Sequence, residues 1–203
     1  MERIGILGGT FNPIHNGHIM LAKKAFEQFA LDKVLVMVSK TPPYKDNSCI
    51  VSAEHRSNMI KEAIKEYSFM EFSIFELKRD GKIYTADTLT LLTEMNPDTE
   101  YYFIIGGDSI RDFHTWYHPE IVLKKATIIA SLRKGVSLDL YQKSIDLLYD
   151  LYKSSNPHIE FLVTESIDIS SSEIREKIYT DDNIKQYLDS NVYDYIISNG
   201  LYK

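Results

Sequence analysis

Apolar and polar positions follow two rhythms in this chain, and the two alternate from one end to the other. Arg3 to Leu7 is a short apolar run stopped by Gly8-Gly9, which predicts a buried strand feeding a tight turn. His18 to Phe29 places Ile19, Ala22, Ala25, Phe26 and Phe29 on one face of a helix. Lys33 to Val38 is apolar without alternation, as in a strand covered on both faces. Past Pro42-Pro43, Ser52 predicts the N-cap of a helix reaching about Glu66. Phe69 to Lys78 reads as a third strand region, with a turn at Gly81. Ala86 to Glu94 is helical, Tyr101 to Ile105 a strand ending on Gly106-Gly107, and Pro119 to Lys125 a short helical piece. Thr127 to Leu132 is a β-branched strand, and Leu138 to Tyr152 a periodic helix that reads as packing. Ile159 to Val163 is the last strand, followed by helices around Ser172 to Tyr179 and Tyr193 to Ser198.

This alternation predicts an α/β fold: a Rossmann-like, doubly wound parallel sheet with helices on both faces and a small helical portion at the end. Residues 1–203 read as one domain, without repeat or linker. Ligands of such sheets sit beyond the carboxyl ends of the strands. Gly8-Gly9, Lys40 to Lys45, Gly106 to Ser109 and Arg133 all fall at predicted strand ends, which suggests one shared site.

Charge and composition narrow the function. A formal net charge of -6 argues against a nucleic-acid-coating protein, but leaves room for a small anionic ligand met by a few placed cations. No apolar run approaches the ~20 residues of a membrane span, and the start of the chain has no signal-like segment, so neither a membrane nor a nucleic-acid partner is expected. The single cysteine, Cys49, suits a reducing, cytoplasmic setting and reads as incidental. No HExxH, CxxC or GxSxG occurs, and no metal ligand set is expected.

The densest chemistry lies in Gly8-Gly9-Thr10-Phe11-Asn12-Pro13-Ile14-His15-Asn16-Gly17-His18. Paired glycines let a ligand approach the backbone. A helix starting near His18 directs free N–H groups at that ligand, and His15 and His18 add donors three residues apart. Together they describe a phosphate cradle. It is neither a Walker loop nor GxGxxG, and strand two ends in Ser39-Lys40 rather than a ribose-binding acid, which disfavours a dehydrogenase. Further on, Ser170 to Ser172 can cap a helix while meeting phosphate oxygens, and Arg175 lies one turn later. Trp116, the only tryptophan, is either a stacking platform for a pyridine ring or plain core packing. Lys45 and Arg56 are either phosphate partners or ordinary surface charges.

Gly9 to His18 resembles the [ST]-F-[DN]-P-x-H-x-G-H signature of the adenylyl- and cytidylyltransferase superfamily, and Ile169-Ser170-Ser171-Ser172-Glu173-Ile174-Arg175 resembles its second signature, I-S-S-[ST]-x-I-R. Thr41 to Lys45, His55-Arg56, Tyr84 to Leu89, and Ile105 to Ser109 with Trp116 narrow the resemblance to bacterial nicotinate-nucleotide adenylyltransferases. Tyr44 departs from it, where a histidine before the lysine is frequent. The resemblance implies transfer of an adenylyl group from ATP, with its Mg²⁺, to nicotinic acid mononucleotide; a cytoplasmic enzyme is expected, and whether it forms a homo-oligomer is left open by the sequence. It implies catalytic roles for His18, His15 and Arg175. ATP would be bound by Gly8, Gly9, Thr10, Phe11, His15, His18, Gly106, Asp108, Ile169, Ser171, Ser172 and Arg175. Thr10, Lys45, Thr85, Ala86, Asp108, Trp116 and Tyr117 would bind the mononucleotide, with Trp116 on the nicotinate ring. The alternatives are the same chemistry on nicotinamide mononucleotide or another phosphate acceptor, such as phosphopantetheine or glycerol phosphate, and a nucleotide sensor without turnover.

Overall fold

In the computed structural model, which describes residues 1–40, 49–133, 138–164 and 169–203, six strands form one sheet. They are β1 (Glu2–Gly9), β2 (Lys33–Val38), β3 (Met70–Ser73), β4 (Thr99–Gly106), β5 (Thr127–Arg133) and β6 (Ile159–Thr164), in the order β3-β2-β1-β4-β5-β6. Every neighbouring pair is parallel. The chain therefore winds outward from β1 through β2 to β3, returns to β1 with β4, and winds the other way. That reversal puts the crevice of a doubly wound sheet between the ends of β1 and β4.

Helices connect the strands: α1 (Asn16–Gln28), α2 (Ala53–Ile64), α3 (Thr85–Met95), α4 (Gly107–Asp112), α5 (Pro119–Lys125), α6 (Leu138–Leu151), α7 (Ser171–Lys177) and α8 (Ser190–Ser198). Two apolar clusters show how they are shared between the faces of the sheet. One joins Leu7, Val34, Val36 and Ile104 to Ile19, Ala22 and Ala25 of α1, Met59 and Ile60 of α2, and Val192 and Ile196 of α8. The other joins Ile4, Ile6 and Phe103 to Leu89 of α3, Leu123 of α5 and Tyr141 and Leu148 of α6. Successive β1 residues feed opposite clusters, as the period of two requires. Among the described residues, no helix is long and apolar enough to cross a membrane.

Boundaries shift where partners, not local pattern, decide them. The third strand region shortens to Met70–Ser73 because its one neighbour, β2, ends at Val38; Met37 opposite Ser73 is the last paired position. Residues 74–79 then turn, and Glu76 accepts a hydrogen bond from Thr88 Oγ1 at 2.9 Å. The predicted N-cap at Ser52 is present, its side chain accepting from His55 N–H. Helix α4 begins directly on Gly107, where a Cβ would lie 2.5 Å from the Ser131 carbonyl oxygen and 2.9 Å from the Tyr141 ring. Only glycine permits that approach of α4 to β5 and α6.

Candidate active site

The site grows from the end of β1. Phe11 takes a left-handed φ of 50° and turns its buried ring under Gly9, where a Cβ would meet ring atoms at 3.0 to 3.2 Å. The Asn12–Pro13 peptide bond is cis. His15 is the N-cap of α1, with its carbonyl accepting from His18 N–H at 2.9 Å. The His15 N–H in turn donates to His18 Nδ1 at 3.2 Å. That bond determines a tautomer: neutral His18 carries its proton on Nε2, free to donate. The two imidazoles lie 3.8 Å apart, and Phe11 meets His18 edge-on at 5.1 Å.

Burial pushes His15 down to about 4, and half-buried His18, its ring desolvated and also repelled by His15, lies well below the ordinary histidine range. Both are neutral N–H donors at pH 7. His15 Nδ1 is buried and has no hydrogen-bond partner within the protein. These shifts set a pH dependence. Between about pH 6.5 and 4 the unfolded chain binds protons that the folded His15 refuses, so stability is complete above that window and is lost as pH falls through it. At about 1.36 kcal/mol per pKa unit, His15 alone accounts for roughly 3 kcal/mol. Urea unfolding at several pH values should show a shallower loss on acidification for His15→Gln than for wild type; equal slopes would contradict the assignment.

The second signature meets the first across most of the chain length. Ser170 caps α7, accepting from Glu173 N–H at 3.1 Å. Ser171 Oγ donates to the Pro13 carbonyl at 2.9 Å. Arg175 donates from Nη1 to the Asn12 carbonyl at 2.8 Å and from Nη2 to Ser172 Oγ at 3.1 Å. A guanidinium and two serines thus border the same turn as the histidine pair. Ile169 packs against the apolar cluster beneath.

Arg56, which the sequence left open as a phosphate partner or a surface charge, is neither of these in the fold. It is 2% exposed, and its guanidinium donates to the carbonyls of Thr10 at 2.9 Å, Ser39 at 2.8 Å and Val51 at 3.3 Å. The ends of β1 and β2 and the approach to α2 are pinned by one buried cation, whose pKa burial lowers.

The ends of β4 and α3 supply the rest of this edge. Gly106 caps α4, with Asp108 in its first turn. Trp116 stacks on Phe113 at 4.7 Å and meets Phe103 edge-on at 6.2 Å; it is half-buried, so core packing and an open ring edge coexist. Phe103 reaches back to β1, 3.6 Å from where a Gly8 Cβ would be. Thr85 and Ala86 open α3 after Tyr84, whose ring stacks on Tyr117 at 4.2 Å. Tyr84 lies within the Tyr84 to Leu89 segment that carries the resemblance but has no site role there; its stacking on Tyr117 is what brings it to this edge. Lys45 lies outside the described residues.

Imidazole, guanidinium, hydroxyl and backbone N–H groups are anion-binding donors, and a nucleotide phosphate chain is the anion this crevice suits. A fold of this topology with this turn is that of a nucleotidyltransferase, and residues 6–177 match the cytidylyltransferase-like family. A probable nicotinate-nucleotide adenylyltransferase of Lachnoclostridium phytofermentans is 42% identical over 202 residues, covering 100% of both chains. Its Clostridium tetani counterpart is 37% identical, again over 100% of both. In shape, the Plasmodium falciparum nicotinic acid mononucleotide adenylyltransferase complexed with NaAD superposes with a TM-score of 0.79 at 24% identity, covering 100% of this chain and 98% of that one. The chain belongs to the nicotinate-nucleotide adenylyltransferase family, within the cytidylyltransferase-like group.

Proposed function

We propose that this enzyme joins ATP to nicotinic acid mononucleotide, forming deamido-NAD and pyrophosphate in NAD biosynthesis. The observation that carries the reading is the junction of the two signatures, where Arg175 and Ser171 bond the backbone of the Asn12–Pro13 turn that leads into His15 and His18. Relatives at 36–42% identity over essentially the whole chain support the same reaction.

An oxygen of the mononucleotide 5′-phosphate attacks the α-phosphorus of ATP in line. A new P–O bond forms, the bond from the α-phosphorus to the bridging oxygen breaks, and its electron pair leaves with pyrophosphate. The attacking oxygen is already anionic, so no general base is required, and catalysis rests on positioning and on stabilising charge. His18, through its Nε2–H, and His15 stabilise the α-phosphate. Arg175, Ser171 and Ser172 hold the outer phosphates. Gly8, Gly9, Thr10 and Phe11 shape the cradle between the substrates, while Gly106, Asp108 and Ile169 border the nucleotide. Trp116, Tyr117, Thr85 and Ala86 receive the nicotinate end, and Lys45 its phosphate.

Among the described residues no group of three or more His, Cys, Asp and Glu side chains gathers to hold a cation. The donors present suit anions rather than a hard divalent ion. Mg²⁺ enters this reading as part of the substrate, carried on ATP oxygens and water, since such ions usually keep their waters and bind through substrate phosphates. The whole of residues 1–203 acts as one domain in a cytoplasmic setting.

Initial rates of pyrophosphate release with Mg-ATP and either nicotinic acid or nicotinamide mononucleotide test the reading. It predicts a strong preference for the acid. Preference for the amide would keep the chemistry and overturn the acceptor, and ATP binding without turnover on either would favour a sensor.

A further inference from the structure

Asn12 sits at the centre of the first signature, 5% exposed, with both ends of its side-chain amide and its main-chain carbonyl bonded. Its Nδ2 donates to the Cys49 carbonyl at 2.9 Å, and its own carbonyl accepts from Arg175 Nη1 at 2.8 Å. Its Oδ1 accepts from Val51 N–H at 3.2 Å and from the Tyr202 hydroxyl at 3.0 Å, filling both lone pairs. Tyr202 comes from 190 positions further along the chain. The chain leaves α8 through Gly200 at φ 58°, Leu201 N–H donates back to the Ile196 carbonyl, and the Leu201 carbonyl accepts from Tyr179 Oη at 2.8 Å.

Tyr202 itself is held at φ 68°, a left-handed conformation that costs an aromatic residue on the order of 1 kcal/mol or more. Its ring packs against the apolar cluster, and burial keeps the phenol protonated although Arg175 and Arg56 pull the other way. The hydroxyl is therefore a donor, aimed at the residue whose carbonyl holds Arg175.

We infer that Tyr202 is a positioning residue of the transfer reaction, holding Asn12, and through it the Arg175 guanidinium, in place beside the histidine pair. The inference rests on the proposed function for its chemistry. Tyr195 provides the control. Its hydroxyl, on α8, pairs with His55 Nδ1 and Asn58 Nδ2 at 3.0 Å each and docks α8 on α2, with no bond to Asn12.

Tyr202→Phe and Tyr195→Phe each remove one hydroxyl and keep the ring. MgATP binding by calorimetry should weaken about tenfold in Tyr202→Phe and less than twofold in Tyr195→Phe, at comparable melting temperatures. Pyrophosphate release should fall at least as far. On an Arg175→Lys background, Tyr202→Phe should cost less than a further twofold, because the group it positions has been removed. Wild-type MgATP affinity in Tyr202→Phe, losses equal to those of Tyr195→Phe, or full additivity with Arg175→Lys would each overturn the inference. Wild-type protein that binds MgATP yet releases no pyrophosphate with nicotinic acid mononucleotide would instead overturn the function on which it rests, while the binding comparison would still decide the role of Tyr202.

Discussion

His18→Ala is expected to turn over roughly a thousandfold more slowly than wild type, the loss typical of removing one donor aimed at developing transition-state charge. The expectation follows from the tautomer. With Nδ1 occupied by the His15 N–H, the only proton His18 can offer is on Nε2, and desolvation of the ring with repulsion by His15 keeps it a neutral donor. Charge on the α-phosphate oxygens increases as the new bond forms, so that donor contributes more in the transition state than in the ground state. KM for the mononucleotide should accordingly move only modestly. Because alanine also removes the acceptor for His15 N–H, His18→Asn is the companion variant; its side-chain oxygen can cap the same N–H without reproducing the Nε2–H. Steady-state kinetics on both variants, with thermal melts to confirm folding, check this. A kcat within a few-fold of wild type in either would remove His18 from the chemistry.

Arg56→Met should have the largest effect on stability. Methionine roughly replaces the stem but leaves the carbonyls of Thr10, Ser39 and Val51 without their donor in a nearly closed environment. Leaving a buried polar group unpaired costs about 1–3 kcal/mol, so three together, partly relieved by water, predict a loss of about 3 to 5 kcal/mol. For a chain of this size that corresponds to a fall in Tm of roughly 10 °C. At a temperature where the variant remains folded, turnover should fall far less than in His18→Ala. An unchanged Tm with a tenfold rise in KM for ATP would contradict the buried-staple role and make Arg56 a phosphate ligand.

The contrast between these two residues shows what was legible in the chain beforehand. Sheet and helices followed from runs whose period needs no distant partner: Val34 to Val38 is apolar on both faces, and Ile19, Ala22 and Ala25 fall on one stripe. The histidine pair was legible for the same reason, lying three residues apart on one turn. Arg56 was not, because what distinguishes a staple from a ligand is the carbonyl of Thr10, 46 positions away. The Asn12–Tyr202 bond spans 190 positions and leaves no local trace. Strand β3 was overlong because Ile74 and Phe75 suit a strand, whereas its length is set by where β2 stops offering partners. Helix α4 was missed because only the contact of Gly107 with Ser131 and Tyr141 explains a glycine at a helix start.

Direct transfer at the α-phosphorus, between two substrates held by neutral donors and one guanidinium, fixes the stereochemistry of the product. It is tested most directly with a single diastereomer of ATP carrying sulfur at the α-phosphorus, together with nicotinic acid mononucleotide, followed by configurational analysis of the product. One in-line displacement predicts a phosphorothioate deamido-dinucleotide of inverted configuration. Retention would require a covalent nucleotidyl-enzyme intermediate and would rule out direct transfer, as would the absence of any dinucleotide product.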